Sequence, residues 1–316
     1  MILITGGMGF IGLHTARAFV DAGEEVVITY YRTWREPSFI NEEFGKRVHV
    51  EQVDMTDREG VLALGKRHKI TAVVQLGPSI QMLGPVNDLK AQLPALSNTL
   101  EASLEWGVQR MMMGSSAAIY SGFKEGPFRE DQMIPLESRG NETEAYKKAS
   151  EVLGLHFGAV TGLELIAMRI GGIWGPGYHS MRYLLSRWAH AAVNGTEPDY
   201  TTGRVSGKPY EEDAMDLCYA KDCAAGIQLL TMAPKLNHRV YNVGHGQATS
   251  NREIADMIKE VVPEMKLELK PGRSENWRKN PSLDISRISA DTGYRPKYTV
   301  QGAIEEYIAW LRENEQ

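Results

Sequence analysis

In the first half of the chain, short apolar runs alternate with stretches whose apolar residues recur every three or four positions. Met1–Ile4, Val26–Tyr30, Val48–Val53, Ala72–Leu76 and Arg110–Met113 read as buried strands. Phe10–Ala22, Asp57–His68 and Asn87–Trp106 read as helices between them. A helix over Thr143–Val160 and a strand over Glu164–Arg169 continue the series. Parallel strands need crossover connections, and these are right-handed, so the pattern predicts a parallel sheet with helices on both faces.

After Gly175-Pro176-Gly177 the texture changes. Gly195, Pro198, Gly203, Gly207 and Pro209 punctuate shorter, less regular segments. Asp222–Val243 reads again as a helix followed by a buried strand, and Val300–Glu313 as an amphipathic final helix. The predicted division is residues 1–175 plus about 222–245 in one domain, and about 176–221 with 246–316 in a smaller lobe.

Composition narrows the function. The 316 residues are 42% hydrophobic, with 35 Lys and Arg against 40 Asp and Glu, a net charge of −5. That balance argues against a nucleic-acid binder that works through a basic surface. Cys218 and Cys223 cannot make a disulfide framework, and their spacing is not that of a zinc site, so no metal is expected. No apolar run is long enough for a membrane span. The opening MILITGGMGF lacks a basic leader segment, which makes the cytoplasm the expected compartment.

The strongest local signal is Thr5-Gly6-Gly7-Met8-Gly9-Phe10-Ile11-Gly12, which follows a strand and opens a helix. Gly6, Gly9 and Gly12 allow a tight turn and close approach of a pyrophosphate to backbone, and the helix amino terminus offers free N–H groups. A dinucleotide is the predicted ligand. Phe10 and Ile11 in this turn, and Leu76 and Gly77 after the fourth strand, are expected to line it. NAD binders carry an acid at the end of the second strand for the ribose 2′-hydroxyl. Here that place holds Tyr30, with Arg32 and Arg35 following. Arginine there can fork onto a 2′-phosphate, which favours NADP over NAD, or it can simply be solvated. Asp54 and Met55, ending the third strand, suit an adenine contact; Asp54 equally suits a cap for the next helix.

Further segments point the same way. Met113-Gly114-Ser115-Ser116-Ala117-Ala118-Ile119-Tyr120, Met168-Arg169-Ile170-Gly171-Gly172-Ile173-Trp174-Gly175-Pro176-Gly177 and Asp216–Ala224 follow the glycine turn in order. Tyr241–Gly244 and Leu283–Pro296 complete the series. Together they resemble the extended short-chain dehydrogenase/reductases of the NAD-dependent epimerase/dehydratase family, over nearly the whole chain. The resemblance implies an α/β fold, a Rossmann-type doubly wound parallel sheet with a smaller C-terminal substrate lobe. It also implies a Ser–Tyr–Lys active site, with Ser116 at the Ser place and Tyr146 at the Tyr place. The Lys, four residues on, would then be replaced by Ser150. Lys147 and Lys148 should diverge from Tyr146 on a helix.

Other departures concern the substrate. Gln92 stands for an Asn before the fifth strand, Gly172 for an Asn that contacts the sugar nucleotide, and Met215 for an Arg that holds its diphosphate. Arg273 and Arg278 lie near a later Arg of the family. Trp174, Tyr178, His179 and Tyr183 either line an aromatic pocket or pack between lobes. The expected function is therefore an NAD(P)-dependent oxidoreductase acting on a hydroxyl or carbonyl of a small or aromatic substrate. The alternatives are a nucleotide-sugar epimerase or dehydratase with a remodelled site, or a non-catalytic NAD(P)-binding sensor. The resemblance also implies a homodimer formed through the helices over Asn87–Trp106 and Thr143–Val160, with no nucleic-acid or membrane partner.

Overall fold

Strand alternation sets the architecture. In the first strand Ile2 and Ile4 point to one face and Leu3 to the other, and all three are buried. Met112 and its neighbours Met111 and Met113 divide in the same way. A sheet apolar on both faces must be covered on both. The computed structural model describes residues 1–78, 84–137, 142–201 and 207–316; Gly203, expected among the turn glycines, lies outside them.

Seven strands form the large sheet: β1 (Ile2–Thr5), β2 (Val26–Tyr30), β3 (Val48–Gln52), β4 (Ala72–Gln75), β5 (Arg110–Ser116), β6 (Glu164–Ile170) and β9 (Val240–Val243). Their order is β3-β2-β1-β4-β5-β6-β9, and every pairing is parallel. Helices α1 (Phe10–Asp21) and α6 (Ala220–Met232) cover one face. Helices α2 (Arg58–Arg67), α3 (Pro85–Glu105) and α4 (Glu142–Thr161) cover the other. The strand order reverses between β1 and β4, which opens the crevice where this topology binds ligands, beyond the carboxyl ends of the strands.

The smaller lobe has a three-stranded sheet in the order β10 (Ala248–Ser250), β8 (Ala214–Tyr219), β7 (Gly172–Trp174). Helices α5 (Leu184–Asn194), α7 (Asn251–Val261) and α9 (Val300–Glu313) enclose its core around Trp174, Trp188 and Tyr307. The chain crosses between lobes more often than the predicted division allows. β7 pairs in the small sheet although residues 1–175 were assigned to the first domain. Helix α8 (Ser286–Thr292) sends Ile288 into the large lobe's core, and Tyr294 follows it there, although residues 246–316 were assigned to the second.

A buried carboxylate joins the crossings. Asp216, on β8, accepts hydrogen bonds from the backbone N–H groups of His245 (2.7 Å), Gly246 (2.9 Å) and Leu283 (3.0 Å). Three donors from two returning loops thus converge on one side chain, which fixes the lobes' junction.

Candidate active site

The glycine turn forms where β1 runs out. Gly6 has φ +64°, and its N–H is held by Thr29 Oγ1 at 3.0 Å. A Cβ on Gly6 would stand 2.9 Å from Gly77 Cα, so the turns after β1 and β4 touch backbone to backbone. A Cβ on Gly12 would stand 2.5 Å from Gly7 Cα and 2.6 Å from the Gly6 carbonyl oxygen, which is how closely α1 seats on the turn. No side chain caps α1 at Gly9. A cradle with no room for side chains, facing an uncapped helix amino terminus, fits a dinucleotide pyrophosphate. Phe10 and Ile11 begin that helix, partly buried, and Leu76 and Gly77 close the opposite wall.

On the side of β2, Tyr30 is half-buried and meets the Trp34 ring edge-on at 5.2 Å. Arg32 is exposed, with its guanidinium 4.7 Å from the Tyr31 ring centre. Arg35 turns inward instead, 3.5 Å from the Met8 carbonyl oxygen in the glycine turn, and burial lowers its pKa. Asp54 is used locally: its Oδ1 accepts from the Thr56 N–H (2.9 Å) and hydroxyl (2.8 Å). Met55 is buried, and its carbonyl accepts from Asn98 Nδ2 at 3.0 Å.

The residues expected to carry catalysis do not converge. Ser116 ends β5, and its Oγ accepts from the Ala118 N–H at 3.1 Å. Tyr146 points away from that strand, and its hydroxyl donates to the Pro85 carbonyl at the start of α3. Burial first, then the carboxylates of Asp88 and Glu142, raise its pKa, the reverse of what a phenolate base needs. Ser150 donates to its own helix, to the Tyr146 carbonyl, at 2.8 Å. The side chain that enters the site is Lys147, whose Nζ donates to the Gly114 carbonyl of β5 at 2.7 Å. Burial pulls its pKa down to about 8, against the opposing attraction of Glu151.

This corrects the expected placement of Tyr146 and Ser150. The amine that meets β5 is that of Lys147, and the residue four places before it is Thr143. Helix periodicity explains the correction. Lys147, Glu151, Gly154 and Gly158 recur every three or four residues. A Cβ on Gly154 would touch Met113 at 2.9 Å, and one on Gly158 would stand 3.0 Å from Leu165, so this stripe faces the sheet. Tyr146 and Ser150 lie on the neighbouring stripe. Glu151, in turn, accepts from Ser115 Oγ at 2.5 Å and pairs with the buried Arg169 at 2.8 Å. Lys148 stands apart, 2.6 Å from Glu144.

On the substrate side, Gln92 is buried, with Nε2 donating to the Pro78 carbonyl at 3.1 Å. A Cβ at Gly172 would meet the Asp216 carbonyl oxygen at 2.9 Å, Met215 Cε at 3.3 Å and Tyr183 Cε1 at 3.6 Å, so an Asn there would have to displace backbone or Met215. Trp174 was expected to be a candidate for the pocket wall. It is fully buried against Tyr219 and Tyr307 and belongs to the small lobe's core, out of a ligand's reach. Tyr178 packs between Phe10 of the glycine turn (5.2 Å) and Tyr183 (5.4 Å). His179 is exposed; partial burial and then the charge of Arg35 lower its pKa. Arg273 lies over the Trp277 ring at 4.6 Å and Arg278 over the Phe128 ring at 5.3 Å. Among the described residues there is no cluster of three metal-ligating side chains and no helix long and apolar enough to cross a membrane.

Glycine cradle, parallel sheet and lysine at the end of β5 define a dinucleotide-dependent enzyme of the short-chain dehydrogenase type. The sequence profile of the NAD dependent epimerase/dehydratase family matches residues 2–244, and the chain belongs to that family. It is similar to a dTDP-glucose 4,6-dehydratase of Actinoplanes sp. (23% identity, covering 99% of this chain and 98% of the relative). It is also similar to a UDP-glucose 4-epimerase of Azospirillum brasilense (25%, covering 100% and 93%). Among solved structures, a UDP-glucose 4-epimerase of Thermotoga maritima with UDP-glucose superposes with a TM-score of 0.83 at 21% identity, covering 99% of this chain and 98% of the other.

Proposed function

We propose that this enzyme binds a nicotinamide dinucleotide on the glycine turn and converts a nucleotide sugar by oxidising and re-reducing a sugar carbon, as an epimerase or dehydratase. The observation that carries the reading is the enclosed Lys147 amine on the Gly114 carbonyl, two residues from Ser116, at the strand end that adjoins the cradle. When bound, the dinucleotide supplies a hydride acceptor and donor. Gly6, Gly9 and Gly12 hold its pyrophosphate, Ser116 orients the substrate oxygen, and Lys147 presents a cation or a neutral amine beside it. The whole-length similarity to enzymes named for dTDP-glucose and UDP-glucose favours nucleotide sugars over the small or aromatic substrates expected from sequence.

Gly172 and Met215 favour the second reading, a smaller hydroxy or keto compound, because two polar diphosphate contacts are missing there. Thermal-shift titration of the dinucleotide-loaded protein with UDP- and dTDP-sugars, beside a panel of small carbonyl compounds, separates the two. Stabilisation by a nucleotide sugar alone supports the first. Stabilisation by small compounds alone supports the second. For the cofactor, Tyr30 brings no carboxylate to repel a 2′-phosphate and Arg32 stands near it, so NADP is proposed to bind at least as well as NAD. The enzyme is further proposed to work as a homodimer through α3 and α4.

A further inference from the structure

The structure assigns the proton transfer of this reaction to Lys147 itself, acting without a tyrosine between it and the substrate oxygen. This rests on the oxidoreductase reading above and deepens it. Lys147, like Glu151, is a side chain of α4 that reaches β5, and it brings the amine there; the residue one turn earlier on the same stripe is Thr143, which has no phenol to deprotonate. The nearest tyrosine in sequence, Tyr146, is committed to the Pro85 carbonyl on the α3 side. Tyr120, just beyond Ser116, is fully buried, with its hydroxyl donating to Asn242 at 2.9 Å and accepting from Arg169 at 2.8 Å.

The surroundings of the amine suit the task. From β5 it meets the Gly114 carbonyl, a neutral acceptor. From its own helix it faces Glu151, whose charge is largely taken up by Arg169 of β6. One shared carboxylate against burial leaves burial dominant, so the amine gives up its proton more readily than an ordinary lysine does. In the oxidising direction the substrate O–H proton passes to the neutral amine, directly or by exchange through the Thr143 hydroxyl. The O–H electron pair becomes the second carbonyl bond as the carbon gives up its hydrogen, with the bonding pair, to the oxidised dinucleotide. In the reducing direction the ammonium returns the proton to the carbonyl oxygen and the carbon regains hydride. The oxidising step therefore speeds up as pH rises through about 8, and the reducing step slows.

Two measurements test this. The first needs no substrate. The titration of Lys147 in the wild-type protein, followed by NMR of 13C-labelled lysines with Lys147→Met to assign the signal, should show an inflection near 8. An ordinary lysine value would overturn the proposal whatever the substrate proves to be. The second uses the dinucleotide-loaded protein mixed with UDP-glucose or dTDP-glucose, with reduced nicotinamide as readout and dinucleotide affinity measured beside it. Lys147→Arg keeps the charge and a donor but cannot give up its proton. It should lose about 100-fold or more of the oxidation rate, together with the pH inflection. Near-full rate in Lys147→Arg, with Tyr146→Phe inactive, would return the chemistry to the phenol. If no nucleotide sugar reduces the dinucleotide, the substrate reading fails while the titration still decides the role of Lys147.

Discussion

The choice between Tyr146 and Lys147 turns on which way two adjacent side chains point. On a helix neighbours differ by about 100°, so only one can face the sheet. The sequence carried the signal: Lys147, Glu151, Gly154 and Gly158 form a stripe of small and charged residues suited to close packing. The family's motif is anchored on an aromatic residue, which points to Tyr146, whereas the burial of Tyr146 against α3 lies outside that motif. Tyr146→Phe should therefore leave turnover within about twofold and cost roughly 0.5–1.5 kcal/mol of stability, the worth of one hydrogen bond. Chemical denaturation of the variant beside its rate measures both. At the other end of the cradle, calorimetry should find NADP bound at least as tightly as NAD, by on the order of 1–2 kcal/mol if one charge-assisted pair forms. A preference for NAD that Arg32→Ala leaves unchanged would contradict this and leave the arginine a solvated loop residue.

The long elements were the most legible. Helices α1, α2, α3, α4 and α9 and strands β2 and β6 lie within two residues of where periodicity puts them. Repeated three- and four-residue spacings average out local ambiguity over several turns. The irregular second half was less so. β7, β8 and β10 are strands of three to six residues, too short for a period to declare itself, and their pairing depends on contacts distant in sequence. The glycine turn folds as its spacing predicts, a tight turn seated against α1, since that spacing is imposed by contact distances. Gly12→Val would press a branched side chain onto the Gly7 backbone and Gly6 carbonyl. It should weaken dinucleotide binding at least tenfold and lower the melting temperature, while Gly23→Ala, on an open turn with φ +87°, should affect stability alone. Calorimetry and thermal unfolding of the two variants make that comparison.

At the scale of the molecule, the outer faces of α3 and α4 leave large apolar side chains in solvent. Val86, Leu89 and Leu104 lie on α3, and Val152, Leu153 and Val160 on α4. Exposed apolar side chains on these two helices are what the proposed dimer contact would cover. Sedimentation should find a dimer for the native chain, and Val152→Asp with Val160→Asp should shift it toward monomer without changing the circular dichroism. A native monomer would remove the assembly from the account. The junction of the lobes makes a separate demand on the whole chain, because Asp216 holds three backbone donors from two distant loops. Asp216→Ala would orphan them at about 1–3 kcal/mol each, so it should unfold the protein at ordinary temperatures and leave little active enzyme to assay.

In the proposed reaction a dinucleotide on the glycine turn exchanges hydride with a nucleotide sugar. The direct measurement is to mix dinucleotide-loaded protein with UDP- and dTDP-sugars, follow the absorbance of reduced nicotinamide, and identify the sugar products by NMR. Reduced nicotinamide, transient or lasting, should appear with at least one nucleotide sugar, with an epimerised, dehydrated or otherwise altered sugar carbon in the product. Loaded protein that leaves every nucleotide sugar unchanged while reducing or oxidising a small hydroxy or keto compound would contradict it.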